Sequence, residues 1–275
     1  MCVHFTLGAN KQMKKTILIT GAGTGIGKDS AFALARRGHN VIATTETEEQ
    51  SLNLKEEIKS ANIDLNVFKF DITNKKDHQK IENYNLDVLI NNAGIGESGS
   101  LAEIDINKVR HNFEVNVFCS FEISQLVLKK MFDKKEGTII FISSLAGKIT
   151  MPFLGPYCMS KFALSSGAEA MRSEIHRVHK NIHVSIIEPG GYHTGFNQKN
   201  IAKKYVWMDE KSVFYPIIDQ IKAKEDRQFK LTESKSTASI VGKIVKAAEA
   251  KKPKLRYSAP WWQAFGIQLL RMFGK

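Results

Sequence analysis

The sequence predicts an α/β protein built on one doubly wound, mostly seven-stranded parallel sheet with helices on both faces. Short runs rich in β-branched apolar residues alternate with longer amphipathic stretches, a pattern typical of parallel strands joined by right-handed crossovers. A chain of 275 residues without repeats, low-complexity tracts or long linkers fits a single domain over residues 1–275. The expected strands are 16–20, 40–44, 66–70, 87–90, 138–142, 183–187 and 254–258.

Helical stretches separate these strands. The first is rich in Ala and Leu and stops at Gly38, a residue type common just after helices. The expected helices are 26–37, 109–132, 162–178 and 236–251.

The pattern loosens after Pro189. Residues 194–233 are polar, carry scattered aromatic side chains and contain one expected helix, 212–224. We expect about 192–233 to form a lid over a substrate pocket and about 259–275 to form a C-terminal tail.

Composition excludes several classes of protein. The three cysteines are scattered and no CxxC or Cys/His spacing occurs, which argues against a disulfide framework and against a metal site. The segment 1–12 lacks the apolar core of a signal peptide, and no apolar run is long enough to cross a membrane. These features favour a protein of the reducing cytoplasm.

The formal net charge is +12, and the lysines are spread from Lys11 to Lys275. A basic surface can serve nucleic acid, a membrane or an acidic partner. No nucleic-acid-binding motif accompanies the charge, so a solvated lysine-rich surface is favoured and no nucleic-acid partner is expected.

A glycine-rich turn, TGAGTGIG at Thr20–Gly27, directly follows the first expected strand and opens the first expected helix. Glycines there allow a tight turn and close approach to a pyrophosphate, which the helix N-terminus then stabilises. Glu46, just after the second strand, suits free ribose hydroxyls and would repel a 2′-phosphate, although a solvated turn residue would look the same. NAD(H) is therefore favoured, with NADP(H) as the alternative.

Tyr157 and Lys161 are four residues apart at the start of a helix, so both side chains project from one face. A nearby ammonium favours the phenolate and brings a tyrosine toward acid–base work near neutral pH. Ser144 follows a strand at the end of the sheet that faces the ligand crevice, where its hydroxyl can bind a substrate oxygen. Asn116 lies within a mostly apolar helix, either as a satisfied packing residue or as a support for a proton-relay water.

With these motifs in order, the chain resembles the short-chain dehydrogenase/reductase superfamily, in its compact non-extended form with a Rossmann-like fold, over about residues 15–196. The matching positions are the turn Thr20–Gly27, Asp71, the NNAG stretch Asn91–Gly94, Asn116, Ser144, Tyr157 with Lys161, and Pro189-Gly190 followed by Thr194.

The resemblance implies roles for four residues. Tyr157 is the expected general acid/base, and Lys161 binds the nicotinamide ribose and lowers the pKa of that tyrosine. Ser144 orients the substrate oxygen, and Asn116 supports a water chain to the lysine.

The resemblance also implies a cofactor surface, with the adenine near Asp71 and the carboxamide near Thr194. The chain departs from the family at Thr45 and Glu46, where the usual aspartate or arginine is missing, and this leaves the choice of cofactor open. The expected cofactor-binding residues are Gly21, Thr24, Gly25, Ile26, Gly27, Glu46, Asp71, Ile72, Asn92, Ala93, Gly94, Tyr157, Lys161, Pro189, Gly190 and Thr194.

A pocket with apolar walls would suit a hydrophobic, lipid-, steroid- or aromatic-like alcohol or carbonyl compound. Leu145, Phe153, Tyr192 and Phe196 are the expected substrate contacts. The expected function is NAD(P)-dependent interconversion of an alcohol and a ketone or aldehyde. The alternatives are a 3-oxoacyl-thioester reductase acting on an acyl carrier protein, which the basic charge would suit, and a non-catalytic cofactor-sensing protein, which would not need the tyrosine, lysine and serine.

The tail beginning at Trp261 is apolar with basic flanks, as interfacial membrane helices are, but packing against a subunit or the core is favoured. The resemblance suggests a homodimer or homotetramer formed through the two long helices. Their expected contact faces include Val109, Phe113, Val117 and Phe121.

Overall fold

The computed structural model describes residues 13–274, so the expectation for residues 1–12 lies outside the described part of the chain. Seven parallel strands form one sheet in the order β3-β2-β1-β4-β5-β6-β7, which confirms the predicted fold class. The strands are β1 Thr16–Ile19, β2 Asn40–Thr45, β3 Asn66–Lys69, β4 Val88–Asn91, β5 Gly137–Ile142, β6 Ile182–Pro189 and β7 Arg256–Ala259.

Helices cover both faces of this sheet, and strands β4, β5 and β6 are buried along their whole length. Strands buried on both faces require nearly continuous apolar sequence, which is why these runs are so clear in the chain. The α-helices are α1 Gly25–Arg36, α2 Glu48–Ala61, α3 Lys75–Glu82, α4 Ile106–Phe113, α5 Cys119–Lys134, α6 Gly155–Val178, α7 Phe196–Ala202, α8 Lys204–Trp207, α9 Ile218–Thr232, α10 Ala238–Glu249 and α11 Trp261–Met272.

Each face of the sheet has its own apolar core. On one side α1, α2 and α10 pack through residues such as Leu34, Leu54 and Ile244. On the other side α5 and α6 pack through residues such as Ile123 and Leu164. The strand order reverses between β1 and β4, and the carboxyl ends of these two strands open the crevice where ligands bind in such sheets.

The helix that carries Tyr157 begins at Gly155, seven residues before the expected start, and Pro156 occupies its first turn. Proline is favoured there because the first-turn amides have no intrahelical acceptor. Both Tyr157 and Lys161 therefore stand on regular helix.

The other long helical stretch is interrupted. A π-helical turn, Glu114–Phe118, joins α4 to α5. Such turns occur frequently at functional sites because they shift the faces that the two flanking helices present.

The lid region differs from the prediction. It contains three α-helices, α7, α8 and α9, where one was expected. Helix α9 begins at Ile218 rather than 212, because Pro216 and a short 3₁₀ turn, Tyr215–Ile217, precede it.

The face expected to form subunit contacts is also different. Val109 and Val117 are buried within the chain, and Phe113 and Phe121 pack on its own core. The π-turn changes which residues face outward, and Phe118 within it is 53% exposed. Within residues 13–274 no helix is both long enough and apolar enough to span a bilayer.

Candidate active site

The glycine-rich turn forms a tight cradle between β1 and α1. Gly21 and Gly25 adopt positive φ angles of 64° and 56°, which other residues rarely tolerate. A Cβ on Gly21 would lie 2.6 Å from the Cα of Ala93, and one on Gly27 would lie 2.7 Å from the carbonyl oxygen of Gly21. The turn is therefore closed by backbone contacts that only glycine permits.

The N-terminus of α1 is open to an anion. Its cap residue, Thr24, makes no side-chain capping bond, and the first turn contains no acidic residue. Free amide groups and the helix dipole favour a phosphate at such a position. The cradle thus fits the pyrophosphate of a dinucleotide.

The NNAG stretch after β4 holds this cradle in place. The hydroxyl of Thr20 accepts hydrogen bonds from the amides of Asn92 and Ala93, both at 3.0 Å. The amide side chain of Asn92 donates to the carbonyls of Thr20 and Gly21, both at 2.9 Å. Asn92 therefore supports the phosphate turn, in addition to its expected place beside the ribose.

At the end of β2, Thr45 is buried and its hydroxyl bonds Ser51 and the carbonyl of Thr47. Glu46 is exposed, and its amide donates to the side-chain oxygen of Gln50 at 3.1 Å. Gln50 also borders Gly23 of the phosphate turn. Gln50 thus links the backbone of Glu46 to the phosphate turn.

Asp71 and Ile72 follow β3 at the same edge of the sheet. The Asp71 carboxylate accepts from the amide and the hydroxyl of Thr73, at 2.9 and 2.7 Å. The Ile72 carbonyl bonds the imidazole of His78 at 2.8 Å, and the Ile72 side chain is buried. This turn is fixed next to the crevice, where the adenine was expected.

Three of the four expected catalytic side chains meet at the carboxyl end of β5. Ser144 caps a short 3₁₀ turn, and its hydroxyl donates to the carbonyl of Pro189 at 3.3 Å. Tyr157 faces it from α6, and Lys161 lies one turn further, with Nζ 5.7 Å from the tyrosine ring centre. Neighbouring Ser143 is structural: it is buried and bonds Ser165 at 2.7 Å.

Burial controls the protonation of this group. It raises the pKa of Tyr157 to about 12, and the hydrogen bond with Ser144 only partly opposes this shift. Burial lowers the pKa of Lys161 to about 8, and its ammonium donates to the carbonyl of Ile142 at 2.9 Å. Desolvation disfavours the phenolate and is the main cause of the raised pKa of Tyr157, and the expected lowering of that pKa by the lysine stays a prediction.

Asn116 lies in the π-helical turn and is fully engaged. Its side-chain oxygen accepts from the amide of Ile95 at 2.8 Å, and its NH₂ group donates to the carbonyl of Ile95 and to Ser160. A Cβ on Gly94 would lie 3.0 Å from Asn116 Oδ1 and 3.6 Å from Lys161 Nζ. Asn116 Oδ1 and Lys161 Nζ therefore both lie next to Gly94, and the water chain between them stays a prediction.

The segment after β6 reaches the same crevice. Thr194 lies beside Gly25, whose Cβ would be 3.2 Å from the threonine Cβ. Gly190 donates to the carbonyl of Ala259 at 2.8 Å, which aligns the start of this segment with β7. Thr194 therefore borders the phosphate turn, and the contact of Pro189, Gly190 and Thr194 with the carboxamide stays a prediction.

The expected substrate residues separate into two pairs. Phe196 lies 5.9 Å from the Tyr157 ring, and Phe153 packs edge-on against Phe214 at 5.2 Å. Tyr192 and Leu145 are 3% exposed, and the Tyr192 hydroxyl bonds Ser239 of α10 at 2.7 Å. The expectation for Tyr192 is corrected, since its side chain belongs to the core under α10.

The loop after β4 forms a wall that the sequence reasoning missed. A Cβ on Gly96 would lie 2.6 Å from the side chain of Asn200 in α7, and Gly99 is covered by Trp207 of α8. The hydroxyl of Ser98 donates to the Asn200 carbonyl at 2.8 Å. The repeated glycines after Gly94 were the available signal for this close contact with the lid.

A buried charge network supports the floor of the site. Glu188 is fully buried on β6 and binds Lys148 at 2.5 Å, Ser258 at 2.6 Å and the Arg256 guanidinium. Lys148 follows the 3₁₀ turn that Ser144 caps. The network ties the serine turn to the strand that ends at Pro189.

Comparison with known proteins agrees with this geometry. Residues 15–205 match the family described as short chain dehydrogenase. The chain is 34% identical over 194 residues to a 3-ketodihydrosphingosine reductase of Bacteroides thetaiotaomicron, covering 68% of each protein. It is 30% identical over 258 residues to an NADPH-dependent 3-dehydrocapnine reductase of Ornithobacterium rhinotracheale, covering 87% of this chain and 86% of the relative.

The fold is likewise shared with solved structures. A short chain dehydrogenase/reductase from Burkholderia phymatum in complex with NAD superposes with a TM-score of 0.77 at 21% identity, covering 95% of this chain and 94% of the other. The chain belongs to the short-chain dehydrogenase family and is an oxidoreductase.

Proposed function

We propose that this protein reduces a ketone on a long-chain, hydrophobic substrate with a nicotinamide dinucleotide as hydride donor. The observation that carries the proposal is the position of the Tyr157 phenol, which lies beside Ser144 at the carboxyl end of β5 and 5.9 Å from the aromatic ring of Phe196. Carbonyl reduction, in which the substrate oxygen gains a proton from such a phenol, is favoured because the two named relatives are reductases.

The phosphate cradle supports dinucleotide binding, because the turn closed by Gly21 and Gly27 leaves the α1 amides free. When bound, the reduced nicotinamide supplies the hydride that adds to the carbonyl carbon. Ser144 would donate a hydrogen bond to the carbonyl oxygen and orient it. Tyr157 would transfer its proton to that oxygen as the alcohol forms, and bulk water would return a proton to the phenolate.

Lys161 would assist this transfer electrostatically. Its ammonium lies 5.7 Å from the Tyr157 ring and stabilises negative charge that develops on the phenol oxygen. The favourable interaction arises only as the proton leaves, so it acts on the transition state rather than on the resting phenol.

The substrate class is supported by the aromatic wall and by the relatives. Phe196 beside Tyr157, and the packed pair of Phe153 and Phe214, supply apolar side chains that would suit an alkyl chain. The two named relatives act on 3-ketodihydrosphingosine and 3-dehydrocapnine. We therefore propose a 3-oxo amphiphile with a long alkyl chain as the substrate.

We propose NAD(H) as the favoured cofactor. Lys69, the β3 residue in register with Thr45, has its ammonium engaged with Asp77 at 2.6 Å, while the Glu46 carboxylate is exposed. One relative is named NADPH-dependent, so both cofactors must be titrated. Tighter binding of NADP(H) by the wild type would overturn the preference. Glu46→Gln should tighten NADP(H) binding roughly tenfold, because it removes a like charge from the 2′-phosphate.

The decisive test is the Tyr157→Phe variant, assayed for oxidation of the reduced cofactor with 3-ketodihydrosphingosine and with a short-chain ketone. We expect turnover to fall by about 10³-fold or more while cofactor affinity changes little, since the ring remains and only the donor is lost. Tyr84→Phe is the matched control, because that ring stacks on Phe68 at the far edge of the sheet. Near-normal turnover in Tyr157→Phe would refute the proposed role.

A second function is favoured by the net charge of +12. A reductase of 3-oxoacyl thioesters would use such a surface to bind an acidic carrier protein. In that case activity on carrier-bound substrate would fall steeply with added salt, and the free ketone would not react. A carrier-independent reaction with the free amphiphile would exclude this alternative.

A further inference from the structure

Helix α11 exposes an apolar surface to solvent. None of its residues is buried, and Trp261, Phe265 and Met272 are 76%, 59% and 72% exposed. Phe273, directly after the helix, is 83% exposed. Large apolar side chains gathered on one surface mark an interaction site.

These side chains lie on the face that points away from the protein. The inward face is fixed by Gln263, whose side chain accepts from the amide of Gly191 at 2.8 Å and donates to the carbonyl of Thr232 at 2.7 Å. At 3.6 residues per turn, the opposite arc of roughly 120° carries apolar side chains only. They are Trp261, Trp262, Phe265, Leu269, Met272 and Phe273. An ordinary surface helix has the reverse arrangement, with its apolar stripe turned inward.

This helix begins at the active-site crevice. Gly191, which bonds Gln263, is two residues beyond Pro189, the acceptor of the Ser144 hydroxyl. Leu231, next to the Thr232 carbonyl that Gln263 binds, is 72% exposed and adds to the apolar surface. The same helix, α9, also carries the exposed basic residues Arg227 and Lys230.

We propose that α11 docks this protein onto a lipid bilayer that contains anionic lipids, with the outward arc lying in the headgroup region. Twelve residues of helix measure about 18 Å, too short to cross a hydrocarbon core of about 30 Å, so the helix lies in the membrane plane. Tryptophan pairs are typical of that depth, because the ring is apolar and its N–H stays wet.

Charge favours an anionic bilayer over a second copy of the chain as the partner of this face. Each copy has a formal net charge of +12, so a second copy brings charge of the same sign. An anionic membrane supplies the opposite charge and attracts basic side chains near its surface. Docking through α11 would set the mouth of the crevice at the membrane surface.

The test measures sedimentation of the full-length protein with vesicles of phosphatidylcholine, with and without about one-quarter phosphatidylglycerol. The wild type is expected to sediment with the anionic vesicles. Binding should weaken as salt rises from about 0.1 M to about 1 M, which shortens the screening length from about 10 to about 3 Å. The double variant Trp261→Ser/Phe265→Ser should lose at least about tenfold in vesicle affinity.

The matched control is Leu52→Ser, which removes a 59% exposed leucine from α2, away from α11. Its vesicle affinity should equal that of the wild type. Circular dichroism of each variant checks folding, and quenching of wild-type tryptophan fluorescence by brominated lipid tests insertion without any substitution.

Three outcomes would overturn the proposal. The first is a wild type that neither sediments with anionic vesicles nor shows quenching. The second is a double variant that binds vesicles as well as the wild type does. The third is a double variant that loses oligomeric order in sedimentation velocity without any change in vesicle affinity, which would assign the face to a second copy.

Discussion

Replacing the buried Lys161 by methionine should make the protein more stable while removing its activity. The side chain is 4% exposed, and burial lowers its pKa from the ordinary 10.5 to about 8. At neutral pH, keeping the lysine protonated in the folded state therefore costs about 3 kcal/mol relative to the unfolded chain. Losing the hydrogen bond to Ile142 offsets about 1 kcal/mol of this. The expected net gain in free energy of unfolding is about 2 kcal/mol, or about 5 °C in Tm for a chain of this size.

The pH dependence tests the cause of the gain. Below a pH of about 8 the lysine is protonated in both states, so the full advantage of Lys161→Met is present. Between about 8 and 10.5 the folded wild type has released its proton and the unfolded chain has not, so the wild type gains stability as pH rises. The advantage of the variant should therefore shrink across this window. Urea unfolding of the cofactor-free protein at pH values from 7 to about 10 measures it.

Lys204→Met is the contrasting control. Lys204 is 1% exposed, but its ammonium binds Glu225 at 2.6 Å, so its removal leaves that carboxylate without its cation and with the Tyr205 hydroxyl as its remaining bond. This variant should be less stable than the wild type by about 2 kcal/mol. The reasoning on Lys161 is refuted if Lys161→Met is destabilised at pH 7, or if its advantage stays constant up to pH 10.

Three further outcomes are expected. Ser144→Ala should lower kcat by about 10²-fold with little change in cofactor affinity, since one donor to the developing oxyanion is lost; an equal loss of cofactor binding would contradict this role. Gly27→Ala should weaken dinucleotide binding in fluorescence titrations by at least about tenfold, because the added methyl group meets Asn92 and the Gly21 carbonyl; unchanged affinity would mean that the cradle can relax. Glu188→Ala should lower the free energy of unfolding by about 3 kcal/mol, because it removes the buried carboxylate that pairs with Lys148 and Arg256, and a smaller loss at high salt would show that the network is more open to solvent than described.

The parallel sheet was predictable because strands such as β5 and β6 are buried on both faces and must be apolar along their length. The motif spacing likewise identified Tyr157, Ser144 and Lys161, which the structure brings to one end of the sheet. Chain connectivity in this fold fixes where the residues after each strand lie, so short motifs predict neighbours in space.

The lid was not predictable in the same way. From sequence alone a lysine such as Lys204 is expected at the surface, yet it is buried and paired with Glu225. Asn200 and Trp207 pack closely against glycines of the loop after β4. Short helices of this kind are stabilised by residues far away in sequence, and helix propensity depends only on the local sequence. The lid helices therefore could not be predicted from local sequence. Tyr192 was misplaced for a similar reason, since a tyrosine in the core looks like one in a pocket until its partner, Ser239, is known.

The bonds between Thr20 and the residues after β4 join the nucleotide turn to the middle of the sheet. The backbone amides of Asn92 and Ala93, just after β4, both donate to the hydroxyl of Thr20, just after β1. The Asn92 side chain donates two further hydrogen bonds to the carbonyls of Thr20 and Gly21. A dinucleotide that binds to the glycine-rich turn should therefore also stabilise the contact between the ends of β1 and β4. Hydrogen exchange at the amides of Asn92 and Ala93 should slow when a dinucleotide binds, so the backbone just after β4 can report on occupancy of the cradle.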